Sequence, residues 1–423
     1  MGSGGSWTGR LRFGLIDLMR GTRALALLRE LEQLQFAPPV LLAARQRARR
    51  DAYAALVRSN SALYAAHAGF DQFPLIDKAY AQAHRSALRN GAYRGKLVRK
   101  KTGGSTGEPF VYLTGVRSQS YLWASILLSW TVAGYRLGEP VAILAGSALF
   151  GSGRKQKMYY ALMNARLLSA FDLSAARMDD WCARIVRCRL LYGYAAAIHR
   201  LALHILARGA GHAFGLRAVV CTAEVLTPAM RDSIELAFGA PCFNQYGCND
   251  AGLAAYECER RDGLHLITER CWHEVQADGR LVSTDLANDA FFLPRYDSGD
   301  RVALAGAPCP CGRGFPLISA VLGRANDMVA DPQGNAVHSE FFTHLFREDA
   351  RIAAFQVLYD ERELVVVVQC GPAFTQQSYL ERIGAALRFA SIRFEMNRPF
   401  LAIANGKHRF VMKVENVARA LDG

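Results

Sequence analysis

The sequence lacks a long hydrophobic run, a secretory leader pattern, internal repeats and low-complexity segments. Its longest uncharged stretch, residues 118–135, contains serine, glutamine, threonine and glycine and has no flanking topogenic charge. It therefore predicts a buried helix rather than a membrane span. The first residues, Met-Gly-Ser-Gly-Gly-Ser, are not followed by the basic and apolar regions of a signal peptide. These absences predict a cytoplasmic protein with no membrane partner.

Acidic residues are fewer than basic ones, 37 against 51, which gives a formal net charge of +14. Such an excess favours anionic partners, including nucleotides, coenzyme A, nucleic acid or an anionic membrane surface. No helix-turn-helix pattern and no basic strand interleaved with aromatic residues is present, so we expect no nucleic-acid partner. In a reducing cytoplasm the ten cysteines are buried thiols or metal ligands rather than a disulfide framework.

A chain of 423 residues is too long for one ordinary core and predicts at least two domains. Hydrophobic periodicity predicts an α/β fold. A large domain, residues 1–325, begins with a helical lead-in over 1–93 and ends in a β-rich section, and a small α+β lid domain spans 326–423. Predicted helices cover 118–135, 178–189, 194–208 and 228–238, and predicted strands cover 140–146, 216–221 and 241–246. This alternation indicates a largely parallel sheet, in which ligands bind beyond the carboxyl ends of the strands.

A glycine-rich loop lies between two β-favouring segments and is preceded by a basic cluster over residues 94–101. Glycine lets backbone N–H groups converge on an anion, and short hydroxyl side chains add donors. The sequence therefore predicts a phosphate loop, with a plain hairpin turn as the alternative. Its spacing is not that of a Walker A loop, since Glu108 stands where a lysine is often found. The predicted phosphate-binding residues are Thr102, Gly103, Gly104, Ser105, Thr106 and Gly107.

Six motifs in order give the chain its resemblance to a known family. They are residues 73–78 (FPLIDK), 102–109 (TGGSTGEP), 246–250 (YGCND), 295–300 (RYDSGD), 323–327 (GRAND) and 405–409 (NGKHR). This order resembles the adenylate-forming ligase superfamily of acyl-CoA synthetases and adenylation domains, with a closer likeness to the phenylacetate-CoA ligase branch. The likeness covers nearly the whole chain.

The resemblance implies a role for each matching residue. The glycine loop would hold the β- and γ-phosphates of ATP, Tyr246 would stack on adenine, and Asp300 would accept from both ribose hydroxyls. Arg324 would contact ribose or phosphate, and Lys407 would bridge the substrate carboxylate and the α-phosphate. Strand-end residues around the nucleotide would include Glu224, Gly247 and Asn249.

Three departures from the family pattern concern the metal site and the hinge. Asn249 replaces the usual Thr or Ser. Asp250 replaces the glutamate that usually positions Mg²⁺, and it is one methylene shorter although still a hard oxygen ligand. Asn326 stands where the family's hinge commonly has Asp or Lys. The expected acyl pocket would be lined by small, aromatic and sulfur-bearing side chains, with ordinary core packing as the alternative: Phe150, Ala223, Cys248, Ala251 and Gly252.

Three thiols and an imidazole form a second candidate site. Cys258, His265, Cys309 and Cys311 have the donor softness and number that a tetrahedral structural Zn²⁺ requires. Cys271 and His273 compete for places in the same site, and separate buried thiols are the alternative interpretation.

The sequence thus predicts an ATP- and Mg²⁺-dependent, AMP-forming ligase. It would activate a carboxylic acid, aryl or arylacetic, as an acyl-adenylate and pass the acyl group to the thiol of coenzyme A. Two alternatives stay open: transfer to an amine, which gives an amide, and a nucleotide-binding homologue without catalysis. The sequence also leaves a homodimer open.

Overall fold

The computed structural model describes residues 7–101, 110–145, 154–170, 175–209, 214–324, 328–338, 340–346, 349, 351–401 and 410–422. The chain forms two compact units, Met1–Val321 and Leu322–Gly423. The predicted assignment of these parts to ligand binding and to a lid stays a prediction. Among the described helices, none has the length and apolar character needed to cross a membrane.

The first unit opens with helices: α1 (Trp7–Arg20), α2 (Ala24–Leu34), α3 (Pro39–Asn60), a 3-10 turn (Phe70–Gln72) and α4 (Lys78–Ala83). In α2 the buried residues Ala24, Leu28 and Leu31 recur at helical spacing, which turns one face toward the core. At α4 the Asp77 carboxylate accepts the Tyr80 N–H at 2.7 Å and caps the helix.

An antiparallel hairpin follows the lead-in. It consists of β1 (Val98–Lys101) and β2 (Val111–Thr114), with Lys100 opposite Tyr112. The residues between them, 102–109, lie outside the described part of the chain. Helix α5 (Val116–Val132) comes next and is buried along much of its length, as the uncharged stretch predicts.

A parallel half-sheet forms the centre of the first unit. Its strands are β3 (Val141–Ala145), β4 (Ala165–Ser169), β5 (Leu190–Tyr194), β6 (Ala218–Thr222) and β7 (Cys242–Cys248). Among the described residues, neighbouring strands pair in parallel in the order β4-β3-β5-β6-β7. The accompanying helices are α6 (Arg154–Met163), α7 (Ala175–Ile185), α8 (Ala195–Ala207) and α9 (Pro228–Phe238). The central strands β3 and β6 are buried and almost entirely apolar, as expected for a parallel sheet covered on both faces.

An antiparallel half-sheet continues from β7. It contains β8 (Leu253–Glu257), β9 (Leu264–Leu266), β10 (Cys271–Val275), β11 (Arg280–Asp285), β12 (Tyr296–Leu304) and β13 (Leu317–Arg324). Together the strands β3 to β13 make one eleven-stranded sheet in the order β10-β11-β12-β13-β9-β8-β7-β6-β5-β3-β4. The predicted α/β class and the β-rich closing section are confirmed.

Two strands of the parallel half-sheet were not predicted, β4 and β5. The predicted helix 178–189 ends at Ile185 instead, because β5 begins at Leu190. A short apolar run beside a helix has no periodicity that separates strand from helix, and pairing with β3 and β6 decides the outcome.

The second unit is α+β. Its described elements are β14 (Met328–Ala330), β15 (Ala336–His338), α10 (Glu340–Phe346), β16 (Ile352–Tyr359), β17 (Glu363–Cys370), α11 (Gln377–Ala386), β18 (Ser391–Met396), β19 (Val411–Lys413) and α12 (Val417–Asp422). Four of the strands form a sheet in the order β18-β17-β16-β19. The buried Asp360 ties this sheet to α12, because its carboxylate accepts the N–H groups of Arg362, Glu363 and Val417.

Candidate functional site

The carboxyl end of β6 carries an unusual backbone conformation. Ala223 follows β6 with φ of +68°, a left-handed conformation that costs energy for a residue other than glycine and that often marks functional sites. Glu224, which the sequence placed near the nucleotide, accepts the Ala196 N–H at 2.8 Å in the first turn of α8. The structure therefore gives Glu224 a helix-capping role, and its nucleotide role stays a prediction.

Tyr246 and Asp300, predicted from separate motifs, lie together. The Tyr246 hydroxyl donates to Oδ2 of Asp300 at 2.6 Å, although the two residues are 54 positions apart. Asp300 is buried on β12, whereas Tyr246, on β7, is partly exposed. This hydrogen bond fixes a carboxylate beside an aromatic ring near the carboxyl end of β7, an arrangement suited to a ribose hydroxyl pair and a flat base.

Asp250, the predicted magnesium ligand, is held from two sides. The Tyr296 hydroxyl donates to its Oδ2 at 3.0 Å, and the Cys248 thiol donates to its Oδ1 at 3.0 Å. Burial, reinforced by the charge of Asp250, raises the pKa of Tyr296 well above its usual value, so the phenol stays a neutral donor. Tyr296 was not among the predicted site residues, although it lies within the 295–300 motif. Its contact with Asp250 required the fold.

The two residues that follow Asp250 are tightly packed. Ala251 is fully buried, and Gly252 has φ of +69° with its α-carbon against Asp285. A Cβ at position 252 would lie 2.4 Å from the Asp285 Cβ, so only glycine fits there. The acyl-pocket role of these two residues stays a prediction. Gly247 and Asn249 are exposed around the same turn.

Cations converge near the start of the predicted phosphate loop. Burial, together with the positive charges of Arg20 and Arg270, lowers the pKa of Lys100 to about 8. Arg270 is 1% exposed, and its Nη2 lies 3.5 Å from Oδ2 of Asp285. Within the described part of the chain, its Nε and Nη1 have no hydrogen-bond partner. Buried cations in excess of their carboxylates favour an anionic ligand.

Several predicted residues cannot be placed in the site. Thr102, Gly103, Gly104, Ser105, Thr106, Gly107, Phe150, Asn326 and Lys407 lie outside the described residues. For Arg324 the structure gives only its position, the last residue of β13. The roles of all these residues stay predictions.

The second candidate site is a Cys/His cluster made of Cys258, His265, Cys309 and Cys311. The four ligand atoms all lie within 4.8 Å of one another. The sulfurs of Cys258 and Cys309 are 3.7 Å apart, and Nε2 of His265 is 3.3 Å from the sulfur of Cys311. Zn–S bonds of about 2.3 Å at tetrahedral angles would place two sulfurs about 3.8 Å apart, so these separations fit zinc.

Local turns aim the ligands of the Cys/His cluster. The backbone N–H groups of Arg260 and Arg313 each point at the sulfur two residues earlier, at 3.4 and 3.5 Å. Gly312, with φ of +82°, lets the chain reverse directly after Cys311. The Nδ1 of His265 lies 3.3 Å from the Phe315 carbonyl, which can only accept, so Nδ1 carries the proton and Nε2 is left to bind a metal.

The predicted competitors lie elsewhere. Cys271 contacts the Ile267 carbonyl, and Nδ1 of His273 lies 3.2 Å from Nε2 of Gln46. The Cys/His cluster begins directly after β8, whereas Asp250 precedes that strand. The five residues of β8 extend about 17 Å, so Asp250 and the Cys/His cluster lie at opposite ends of the same strand.

Comparisons with known proteins agree with the motifs. No family model matches the chain. Protein CapK of Staphylococcus aureus is 24% identical over 337 residues, which cover 75% of each chain. Phenylacetate-coenzyme A ligase of Thermus thermophilus is 30% identical over 128 residues, which cover 27% of this chain and 29% of that ligase.

Solved structures match over a larger part of the chain. A 2-hydroxyisobutyryl-CoA ligase in complex with 2-HIB-AMP, in the postadenylation state, has a TM-score of 0.66 and 17% identity over 90% of each chain. The same ligase with 2-HIB-AMP and CoA, in the thioesterification state, has a TM-score of 0.52 and 17% identity over 90% of this chain and 91% of that one.

Proposed function

With the fold of the adenylate-forming acyl-CoA ligases established, which confirms the predicted resemblance, we propose that this protein is an ATP-dependent, AMP-forming carboxylate ligase. It activates a carboxylic acid as an acyl-adenylate and transfers the acyl group to coenzyme A. The observation that carries this proposal is the hydrogen bond between Tyr246 and Asp300 at the end of β7.

The nucleotide would bind beside Tyr246, Asp250 and Asp300, which together are called here the nucleotide edge. Asp300 is an acceptor-only carboxylate and suits the two ribose hydroxyls, while the Tyr246 ring offers a flat face to adenine. The anionic phosphates would approach Lys100 and the glycine loop. The lowered pKa of Lys100 supports this placement, because an anion would stabilise the charged form of a lysine that is buried and lies near other cations.

The reacting groups would meet beside Asp250. Asp250 supplies hard oxygen donors of the kind Mg²⁺ prefers, and Tyr296 and Cys248 orient that carboxylate. Mg²⁺ would neutralise charge on the phosphates during attack by the substrate carboxylate. Lys407 would bridge the two anions as a point charge.

The acid is proposed to be aryl or arylacetic. This choice rests on the resemblance to the phenylacetate-CoA ligase branch. The partly buried Cys248, next to Asp250, offers a soft, apolar wall. Coenzyme A is the favoured acceptor because its phosphates suit a chain of net charge +14. The proposed location is the cytoplasm, where ATP and coenzyme A are available.

We also propose that the Cys/His cluster binds a structural zinc ion. All four donors come from the protein, so no position is left open for a substrate. The N–H groups of Arg260 and Arg313 would stabilise the thiolates, and the His265–Phe315 hydrogen bond would orient the imidazole.

Pyrophosphate release tests the ligase proposal. Purified protein is given ATP and Mg²⁺ with a panel of aryl, arylacetic and aliphatic acids, each with and without coenzyme A or amines. We expect release that depends on an aryl or arylacetic acid and accelerates with coenzyme A. Faster turnover with an amine would instead identify an amide ligase.

Lys407→Ala provides the catalytic control. We expect this variant to lose adenylate formation while ATP binding, measured by calorimetry, is largely retained. Adenylation at the wild-type rate would refute the role of Lys407. ATP binding without release for any acid would favour the nucleotide-binding homologue without catalysis.

A further inference from the structure

The outward face of α1 is apolar. Its exposed apolar side chains, called here the α1 stripe, are Trp7, Leu11, Leu15, Leu18 and Met19. Trp7 is 77% exposed and Leu18 is 79% exposed. At 3.6 residues per turn these side chains share one side of the helix, opposite the buried Phe13 and Ile16. Helix α1 therefore packs on the core with one apolar side and presents another to water.

The surroundings of the α1 stripe are cationic. Arg12 and Arg23 are exposed on or just after α1. Helix α6 lies against α1, since the Tyr159 hydroxyl accepts from Nη1 of Arg20 at 3.3 Å. The exposed cations of α6 are Arg154, Lys155 and Lys157, and α6 contains no acidic residue.

Asp17, the one acidic residue of α1, is engaged in hydrogen bonds within the fold. Oδ1 of Asp17 accepts from the Thr22 hydroxyl at 2.6 Å and from the Ala24 N–H at 2.9 Å. Its Oδ2 accepts the Leu25 N–H at 2.8 Å. Asp17 thus caps the start of α2, and its charge is directed into the fold rather than toward a partner on the stripe.

The charge pattern decides which occupant fits. A second copy seated on the same face would bring Arg12, Arg23 and the α6 cations of both chains together without an exposed carboxylate from either helix to offset them. An anionic lipid surface fits both the cations and the apolar α1 stripe, because lipid headgroups attract the cations and acyl chains accommodate tryptophan and leucine. We propose that α1 is an interfacial helix that docks the protein on anionic membranes.

In this proposal α1 lies parallel to the membrane surface. Its 14 residues are about 21 Å long, too short to cross a bilayer, and one side is committed to the core. The sequence predicted no membrane partner because it has no spanning segment, but an interfacial helix needs none. This surface is independent of the proposed ligase activity.

Vesicle binding tests the proposal. The full chain is sedimented with phosphatidylcholine vesicles, and separately with vesicles of phosphatidylcholine and phosphatidylglycerol mixed in equal parts. We expect binding to the anionic vesicles that weakens as salt is added, because surface charges are screened. The Leu11→Ser/Leu18→Ser double variant should bind at least about tenfold more weakly, since its apolar contact with the lipid is reduced.

The matched control is Leu236→Ser. Leu236 is 73% exposed on α9, far from α1 in sequence, so this variant should bind like wild type. Arg12→Gln/Lys157→Gln should weaken binding to anionic vesicles only. Because the altered leucines are exposed, thermal unfolding should match wild type in every variant.

Two results would overturn the proposal. One is equal vesicle binding by wild type and the Leu11→Ser/Leu18→Ser variant. The other is a wild-type dimer in light scattering that the double variant loses, without vesicle binding by either protein, which would identify a second copy as the occupant.

Discussion

The Cys/His cluster and the nucleotide edge both adjoin β8, since Cys258 follows that strand and Tyr246 pairs with Ala255 within it, yet they are built differently. In the Cys/His cluster the protein supplies every donor, and turns within two residues of Cys258 and Cys311 aim the sulfurs. At the nucleotide edge, Tyr246 and Asp300 come from distant strands, and further predicted groups belong to the phosphate loop and the second unit. A closed site can be complete without a substrate, whereas a catalytic site must leave positions for one.

Polar side chains also have different roles in the two regions. At the nucleotide edge Asp250 and Asp300 each accept from a tyrosine, which orients their carboxylates. Around the Cys/His cluster Arg313 donates to Gln35 and Glu259 and ties the cluster to α2. We therefore expect substitutions in the cluster to change stability and substitutions at the edge to change activity.

The largest expected effect comes from removing a ligand of the cluster. Cys309→Ser should lose the zinc ion and lower the free energy of unfolding by about 4 kcal/mol or more, because a structural metal contributes directly to folding. Metal content by mass spectrometry and urea denaturation measure this. Cys271→Ser, at a buried thiol outside the cluster, should keep one zinc ion per chain. Zinc-free wild-type protein with Cys309→Ser equally stable would contradict the prediction.

A smaller effect is expected at the nucleotide edge. Asp300→Ala should weaken ATP binding roughly a hundredfold, since it removes two charge-assisted hydrogen bonds to ribose. Tyr246→Phe removes only the hydroxyl bond to Asp300 and should cost about fivefold. Calorimetry measures both, and urea denaturation should show less destabilisation for Asp300→Ala than for Cys309→Ser. The reverse order of stabilities would remove the distinction between the two regions.

The smallest effect concerns the charge of Lys100. Its pKa of about 8 means that the cation is lost as pH rises through 8. A phosphate ligand should raise that pKa, so ATP binding should weaken by about fivefold from pH 7.5 to 9, and Lys100→Arg should show a flatter profile because arginine stays charged. Identical pH profiles for wild type and Lys100→Arg would place the phosphates away from Lys100.

The same lysine makes a separate prediction for stability without ligand. Between pH 8 and the ordinary lysine pKa of about 10.4, the unfolded chain holds a proton that the folded chain has released. Lys100 therefore makes the free energy of unfolding rise with pH across this window. The difference between wild type and Lys100→Arg in urea denaturation isolates this contribution.

The sequence by itself determined the α/β class and the order of the six motifs, and it predicted the four members of the Cys/His cluster, although only the fold separated them from Cys271 and His273. These features depend on local signals: alternating apolar patterns, glycine turns, and thiols spaced for one knuckle. The tertiary structure decided the rest. It paired Tyr246 with Asp300 and Tyr296 with Asp250, turned Glu224 into the cap of α8, and exposed the α1 stripe. Pairings between strands and the burial of a helix face depend on contacts between residues distant in sequence, which no local pattern contains.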